Sequence, residues 1–372
     1  MAKKKLLFFS IFIIIILVFV TIYNIIYKNN NIYLNNKDEA PNFISIMLEE
    51  TVGSGEYKVS KSNKWPSKGY VFNKEMSYCN NGSTLTWNEN DNSVSVNINK
   101  TDKCYVYFDI YQLTLAEYIK SQYTGTQGEN SLYYHNSTLT NGAGDNSYRY
   151  AGASDSVNNY ICLGSDATTC PDANLFRIIG VFGNQTKVIR AKSVGYQQWH
   201  TSESNTWSSS SLNAYLNGTY LTSLGTIAEK IATTTWKVGG GSGSNISASV
   251  PATAYKNEVG SSASTTIIDK KIGLMYVSDY GFAASPSAWT KILGDYDGTD
   301  ANGTSIKTIN WMYMGYNEWT ISRHSDNTNS AFFVNSTGNV LGSNVRSDNG
   351  VRPSFNLESS VKYVSGDRKS VV

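Results

Sequence analysis

The most uneven stretch of the chain comes first. Leu6 to Tyr27, LLFFSIFIIIILVFVTIYNIIY, runs for 22 residues without a charge, and a helix needs about 20 apolar residues to cross a hydrocarbon core. The pattern predicts a transmembrane helix over 6–27. Lys3, Lys4 and Lys5 sit directly before it, so residues 1–5 read as a cytoplasmic tail under the positive-inside rule. A cleaved signal peptide has a shorter apolar core and a small-residue cleavage site, whereas this run ends in bulky Tyr23, Ile25, Ile26 and Tyr27. An uncleaved signal-anchor is expected, with the C-terminal region extracytoplasmic at the cell membrane.

Beyond it the pattern changes to alternation. Residues 28–44 are polar and without period, and read as a tether. Over 45–112 come GYVFN (69–73), STLTWN (83–88), SVSVNIN (93–99) and CYVYFDIY (104–111), rich in β-branched and aromatic residues and separated by Asn, Asp and Gly. These predict a small antiparallel β domain. Cys79 and Cys104 bracket two of the strands. A bridge between them is expected outside the cytoplasm, where it would contribute about 3 kcal/mol through the unfolded state.

The second domain is expected over 113–372. It begins with TLAEYIKSQY (114–123), where Leu115, Tyr118 and Ile119 share a helical face. LFRIIGVF (175–182) and TKVIRAK (186–192) form a hairpin across Gly183 and Asn184. Ser208 to Ser210 are N-cap candidates for a helix carrying Leu212, Tyr215 and Leu216, with Asn217 and Gly218 as its stop. IAEKIATTTWKVGG (227–240) reads as a short helix running into a strand, and GGGSGSNISASV (239–250) as a flexible loop. IGLMYVSDYGF (272–282), INWMYMG (309–315), EWTISRHS (318–325), SAFFVNSTGNVLGSN (330–344) and GVRPSFNL (350–357) read as strands. Cys162 and Cys170 enclose a short loop and are expected to pair.

The set NLFRIIGVFG (174–183), TWSSSSLNAYLNGTYL (206–221), IGLMYVSDYGF, EWTISR and GVRPSFNLESSVKYVSGD (350–367) resembles a domain of unknown function repeated across bacterial surface proteins. That family is similar in a broad sense to the C-type-lectin fold, alongside the domains of formylglycine-generating enzymes and of retroelement-diversified proteins. The resemblance covers residues 113–366, and GVRPSFNL is its most specific element. It implies two small sheets, two helices and long loops on which binding surfaces vary. The expected fold class is thus α+β: an N-terminal transmembrane helix, a small antiparallel β domain, then a C-type-lectin-like domain. The chain departs from these relatives in three ways. No cysteine follows Cys170, so formylglycine-generating chemistry is disfavoured. The E-P-N, Q-P-D and W-N-D tripeptides of calcium-dependent sugar binders do not occur. The chain ends in DRKSVV (367–372), read as translated adapter sequence, so that the natural C-terminus is missing.

Composition narrows the function classes. Charged residues make up 16% and the net charge is +2. Lys3, Lys4, Lys5 and Lys28 flank the apolar run and leave the body near neutral. No basic stripe is present to neutralise phosphates, which argues against a nucleic-acid partner. His135, His200 and His324 lack metal spacing and no G-x-S-x-G elbow occurs, so neither catalysis nor a cofactor is expected. In GDYDGTDANG (294–303), Asp295, Asp297, Asp300 and Asn302 gather the oxygen ligands that calcium favours. A solvated turn is the alternative, and Ile306 stands where an EF-hand needs glutamate. Among the many aromatics, Trp311, Tyr313, Tyr316 and Trp319, with Arg323 and Arg346, are the candidate ligand-binding set; Arg352 in GVRP reads as structural. The expected function is a membrane-anchored extracytoplasmic protein that recognises a glycan or a protein. The alternative is a structural envelope component with no small-molecule site.

Overall fold

Alternating β-branched and aromatic residues build the first unit of the chain, and a computed structural model shows how they pair. It describes residues 43–363 apart from 62–64, 67–68, 89–92, 98–101 and 166. These divide after Gln112 into two compact units. In the first, β1 (Phe43–Glu49), β2 (Tyr57–Val59), β3 (Tyr70–Cys79) and β6 (Lys103–Ile110) form a sheet ordered β2–β1–β6–β3, while β4 (Thr84–Asn88) and β5 (Ser93–Asn97) make a separate hairpin. Ile46, Val106 and Phe108 on one sheet face are buried with Trp65 and Val94, and Phe72 stacks on Trp87 of the hairpin at 5.0 Å.

The sheet is mixed, which corrects the antiparallel expectation. β1 runs parallel to β6, with Ile44 opposite Cys104 and Val106 opposite Ile46. The first strand begins inside the segment assigned to the tether, so its pairing was overlooked. Cys79 and Cys104 are register partners on β3 and β6 and are joined as a disulfide.

The second unit is mostly β, which overturns the α+β expectation and with it the C-type-lectin-like architecture. Its larger sheet runs β15 (Ile272–Gly273), β20 (Ser354–Asn356), β11 (Gln185–Arg190), β10 (Leu175–Phe182), β8 (Ser147–Tyr150), β7 (Leu132–His135), with β9 (Tyr160–Cys162) also paired to β10. A second sheet runs β12 (Tyr196–Gln198), β19 (Asp348–Gly350), β16 (Glu318–Arg323), β17 (Ser330–Val334), β18 (Val340–Asn344). β13 (Thr234–Lys237) and β14 (Ile267–Lys270) pair apart from both. One continuous core holds Phe176, Val181, Val188 and Phe355 of the larger sheet with Trp319, Ile321 and Phe332 of the second. The β10–β11 hairpin turns at Gly183 and Asn184, with Gly183 at φ +63°, the position a two-residue II′ turn reserves for glycine.

Helices are few and stop early because each meets a cap or a turn. Thr114 and Glu117 form a capping box ahead of the helix Leu115–Ser121, which buries Leu115, Ala116 and Ile119. Ser210 caps the helix at 211 as expected, but the chain does not stop at Asn217 and Gly218; it widens into a π-turn over Leu216–Tyr220 and continues to Ser223. The expected strand IGLMYVSDYGF is a two-residue strand followed by the helix Val277–Ala283, because Asp279 accepts from the backbone N–H of Tyr276 and starts a helical turn there. INWMYMG holds no strand. The glycine-rich stretch 239–250 is packed, not loose: Ile246 is fully buried, and a side chain at Gly240 would meet the Arg323 carbonyl. Among the described residues no helix is long and apolar enough to cross a membrane; residues 6–27, expected to do so, lie outside them.

Candidate functional site

A groove of about 440 Å³ opens in the second unit beside the helix Leu115–Ser121. Its floor is apolar, from Leu115, Ile119, Ile161 and Ile178. Four tyrosines, Tyr118, Tyr150, Tyr160 and Tyr363, form the walls, and Gln122, Asn130, Ser131, Ser156 and Asn158 add amides and hydroxyls. No charged side chain lines it among the described residues.

Each wall is held in place by named contacts. The Tyr118 and Tyr363 rings stack with centroids 3.5 Å apart. The hydrogen bond between their hydroxyls, aided by burial, pushes the Tyr363 phenol up to about 12. Tyr160 is exposed on its outer face, and beneath it the Arg177 guanidinium lies 4.3 Å from the ring centroid. Arg177 is itself buried. It donates to Asn159 Oδ1 and Ser154 Oγ, each at 2.7 Å, and to the Val157 carbonyl at 3.1 Å. At the rim, Asn130 and Ser131 sit at φ +55° and +59° in succession. Non-glycine residues rarely adopt that region, and such strain gathers at functional sites. The Asn130 amide donates to the Gln122 carbonyl at 2.9 Å, and the Ser131 carbonyl accepts from Ala151 at 3.0 Å, which holds this turn over the groove.

The residues singled out from sequence fall elsewhere. Trp311 and Trp319 are buried, and their indole N–H groups donate to the carbonyls of Tyr150 and Gln197, both at 2.8 Å. Tyr313 donates to the Ser336 carbonyl, Tyr316 packs on Tyr196, and Arg323 donates to the Gly239 carbonyl. Arg346 is exposed and pairs with Glu203 at 3.5 Å. The structure does not gather these six into one surface. Trp311 does touch the groove indirectly, since Arg177 lies 4.6 Å from its ring centroid while also carrying Tyr160.

The acidic loop does not form an ion cage either. Asp300 is turned inward and spends one oxygen on the N–H groups of Asn302 and Thr304 at 2.9 and 2.8 Å, while Asp295, Asp297 and Asn302 are exposed. Among the described residues the one close group of potential ligands is Cys79, Asp102 and Cys104, whose sulfurs are consumed in the disulfide. The second expected bridge, Cys162–Cys170, is present.

Sequence reasoning missed the groove because its residues are scattered over 115–178 and 363. The usable signal was the run of tyrosines at 118, 123, 133, 134, 148, 150 and 160, denser than a small core requires.

The fold and groove define a β-rich, disulfide-bonded module with an uncharged aromatic cleft. Residues 183–359 match a domain of unknown function (DUF6273), a shorter span than the 113–366 expected from the sequence. Every residue that lines the groove lies outside the matched segment. No curated protein and no solved structure matches the chain.

Proposed function

We propose that the second unit is an extracytoplasmic recognition module whose tyrosine-lined groove holds a segment of a neutral glycan, without turning it over. The observation that carries this reading is the lining itself: tyrosine rings and amide or hydroxyl groups share one uncharged cleft. Sugar rings offer apolar faces and a rim of hydroxyls, and tyrosine meets both with its ring and its polar tip. The volume falls within the usual span for small-ligand sites, about 300 to 1,000 Å³. An anionic ligand is disfavoured because no cation lines the cleft among the described residues. The two disulfides support a location outside the reducing cytoplasm.

The test is a panel of neutral oligosaccharides and isolated cell-wall polysaccharides against the full chain and Tyr160→Ala. Saturable binding that falls at least tenfold in Tyr160→Ala, with an unchanged circular dichroism spectrum, is the expected result. Absence of binding to every neutral saccharide overturns the reading and leaves the structural envelope role.

A further inference from the structure

Deep in the second unit Lys187 and Asp279 meet with Nζ 2.5 Å from Oδ2, and their side chains are 6% and 3% exposed. They come from β11 and from the first turn of the helix Val277–Ala283, 92 positions apart in sequence. Three rings enclose the amine: Tyr276 at 4.6 Å, Trp236 at 5.4 Å and Phe182 at 5.7 Å.

Two further charged groups face the pair. Arg149 approaches Asp279 Oδ1 only at 3.6 Å and has its closer partner in Asp145 at 2.6 Å. Glu258 is buried at the N-terminus of the helix that carries Asp279. It accepts from the N–H groups of Val277 and Ser278 at 3.0 and 2.8 Å and from the Ser322 hydroxyl. Among the described residues Glu258 forms no salt bridge, so this buried carboxyl, bound to the two N–H groups that directly precede Asp279 in the chain, has no cation of its own.

An ion pair alone does not call for this arrangement. Another deeply buried pair in the unit uses Arg352, whose fork reaches both oxygens of Glu318. Arginine is the better residue for that purpose, while lysine keeps a compact, reactive amine once it loses its charge. Burial pushes Lys187 below its ordinary value and Glu258 above its own. The first direction favours the neutral amine that an attack on Cγ needs, and the second a carboxyl that can hold and return a proton, because a desolvated charge in a low-dielectric interior is costly.

We propose that Lys187 and Asp279 condense to an intramolecular amide, with Glu258 as the acid–base group. Within the contact the ammonium first passes a proton to the carboxylate, giving an amine and a carboxylic acid. The Nζ lone pair attacks Cγ and forms the Nζ–Cγ bond. Glu258 takes the surplus proton from nitrogen and returns it to the departing hydroxyl; the Cγ–O bond breaks and one water leaves. Nothing is oxidised or reduced and no co-reactant is consumed. Two buried charges become one neutral amide; when Oδ1 departs as water, the Oδ2 that remains as the amide oxygen keeps the Tyr276 N–H as its donor. The link ties β11 covalently to the helix and would stop the unit from extending under load.

The test is the intact mass of the full chain after disulfide reduction. The expected wild-type mass is lower than the sequence mass by one water, and digestion should give a branched peptide joining the segments of Lys187 and Asp279. Lys187→Arg should return to its full sequence mass, whether or not it folds. Glu258→Gln should retain the wild-type circular dichroism spectrum and keep its full mass. Wild-type protein at its full sequence mass after prolonged incubation overturns the proposal, and so does a branched peptide mapping to any other lysine.

Discussion

Arg177 lies under Tyr160, its guanidinium 4.3 Å from the ring centroid, and the same group lies 4.6 Å from the ring centroid of buried Trp311. An exposed wall of the groove is thus tied through a buried cation to the core. The tie sets apart two kinds of variant that sequence alone would treat alike.

Tyr160→Ala removes an exposed ring and one cation–π contact, so it should cost about 1 kcal/mol of stability. Arg177→Met strands the Asn159 and Ser154 side chains and the Val157 carbonyl, all now satisfied by the guanidinium. That loss should cost about 3 kcal/mol or more. Chemical denaturation of both variants checks the ranking; equal losses would mean that Arg177 does not support the wall.

Asp145 gives a pH signature. Burial works against its charge, but Arg149, the Ser147 N–H and hydroxyl, and the Tyr255 hydroxyl outweigh it and hold the carboxyl down to about 2. A folded value below the unfolded value of about 4 means stability that is complete above that pH and lost as pH falls toward the folded value. Asp145→Asn should therefore lower stability by about 3 kcal/mol at neutral pH. The gap between wild type and variant should close between about pH 4 and pH 2. Thermal unfolding of the pair across that range reads it, and a constant gap would refute the assignment.

Gly180 marks where the larger sheet allows no side chain. The β10–β11 register shifts between Ile178 and Gly180, and a Cβ at Gly180 would stand 2.2 Å from the Tyr148 carbonyl on β8. The backbone itself must move to admit one. Gly180→Ala should cost about 3 kcal/mol or more, against about 0.5 for a surface change, as calorimetry would show.

Local signals were legible in the sequence where chemistry acts over a few residues. The β10–β11 turn at Gly183, the Ser210 cap and the Cys162–Cys170 bridge follow from short-range rules, and Cys79 and Cys104 were legible because they bracket two strands. The parallel pairing of β1 with β6 spans about 60 residues and leaves no local mark. The helix at Val277 hid in an apolar run because helix and strand cannot be told apart by periodicity in so short a stretch. The groove was missed for a related reason. The tryptophans drew attention, yet Trp199, Trp207, Trp236, Trp289, Trp311 and Trp319 are all in the core, where their area does most for stability. The tyrosines, which keep a polar tip for solvent, line the cleft.

The acidic loop yields the last prediction. Asp300 is kept below the usual carboxylate range by the Ser287 hydroxyl and the N–H groups of Thr304 and Asn302, so its charge already serves the fold of its own loop. Asp295 and Asp297 are exposed, and calcium needs six or more oxygens converging on one point. Calcium should therefore leave the unfolding temperature of the full chain unchanged. Asp300→Ala should lower it by several degrees, since two backbone donors lose their acceptor. Asp295→Ala and Asp297→Ala should leave it in place. A calcium-dependent rise that disappears in Asp295→Ala would show that the loop reorganises around an ion, and would return these residues to the list of ligands.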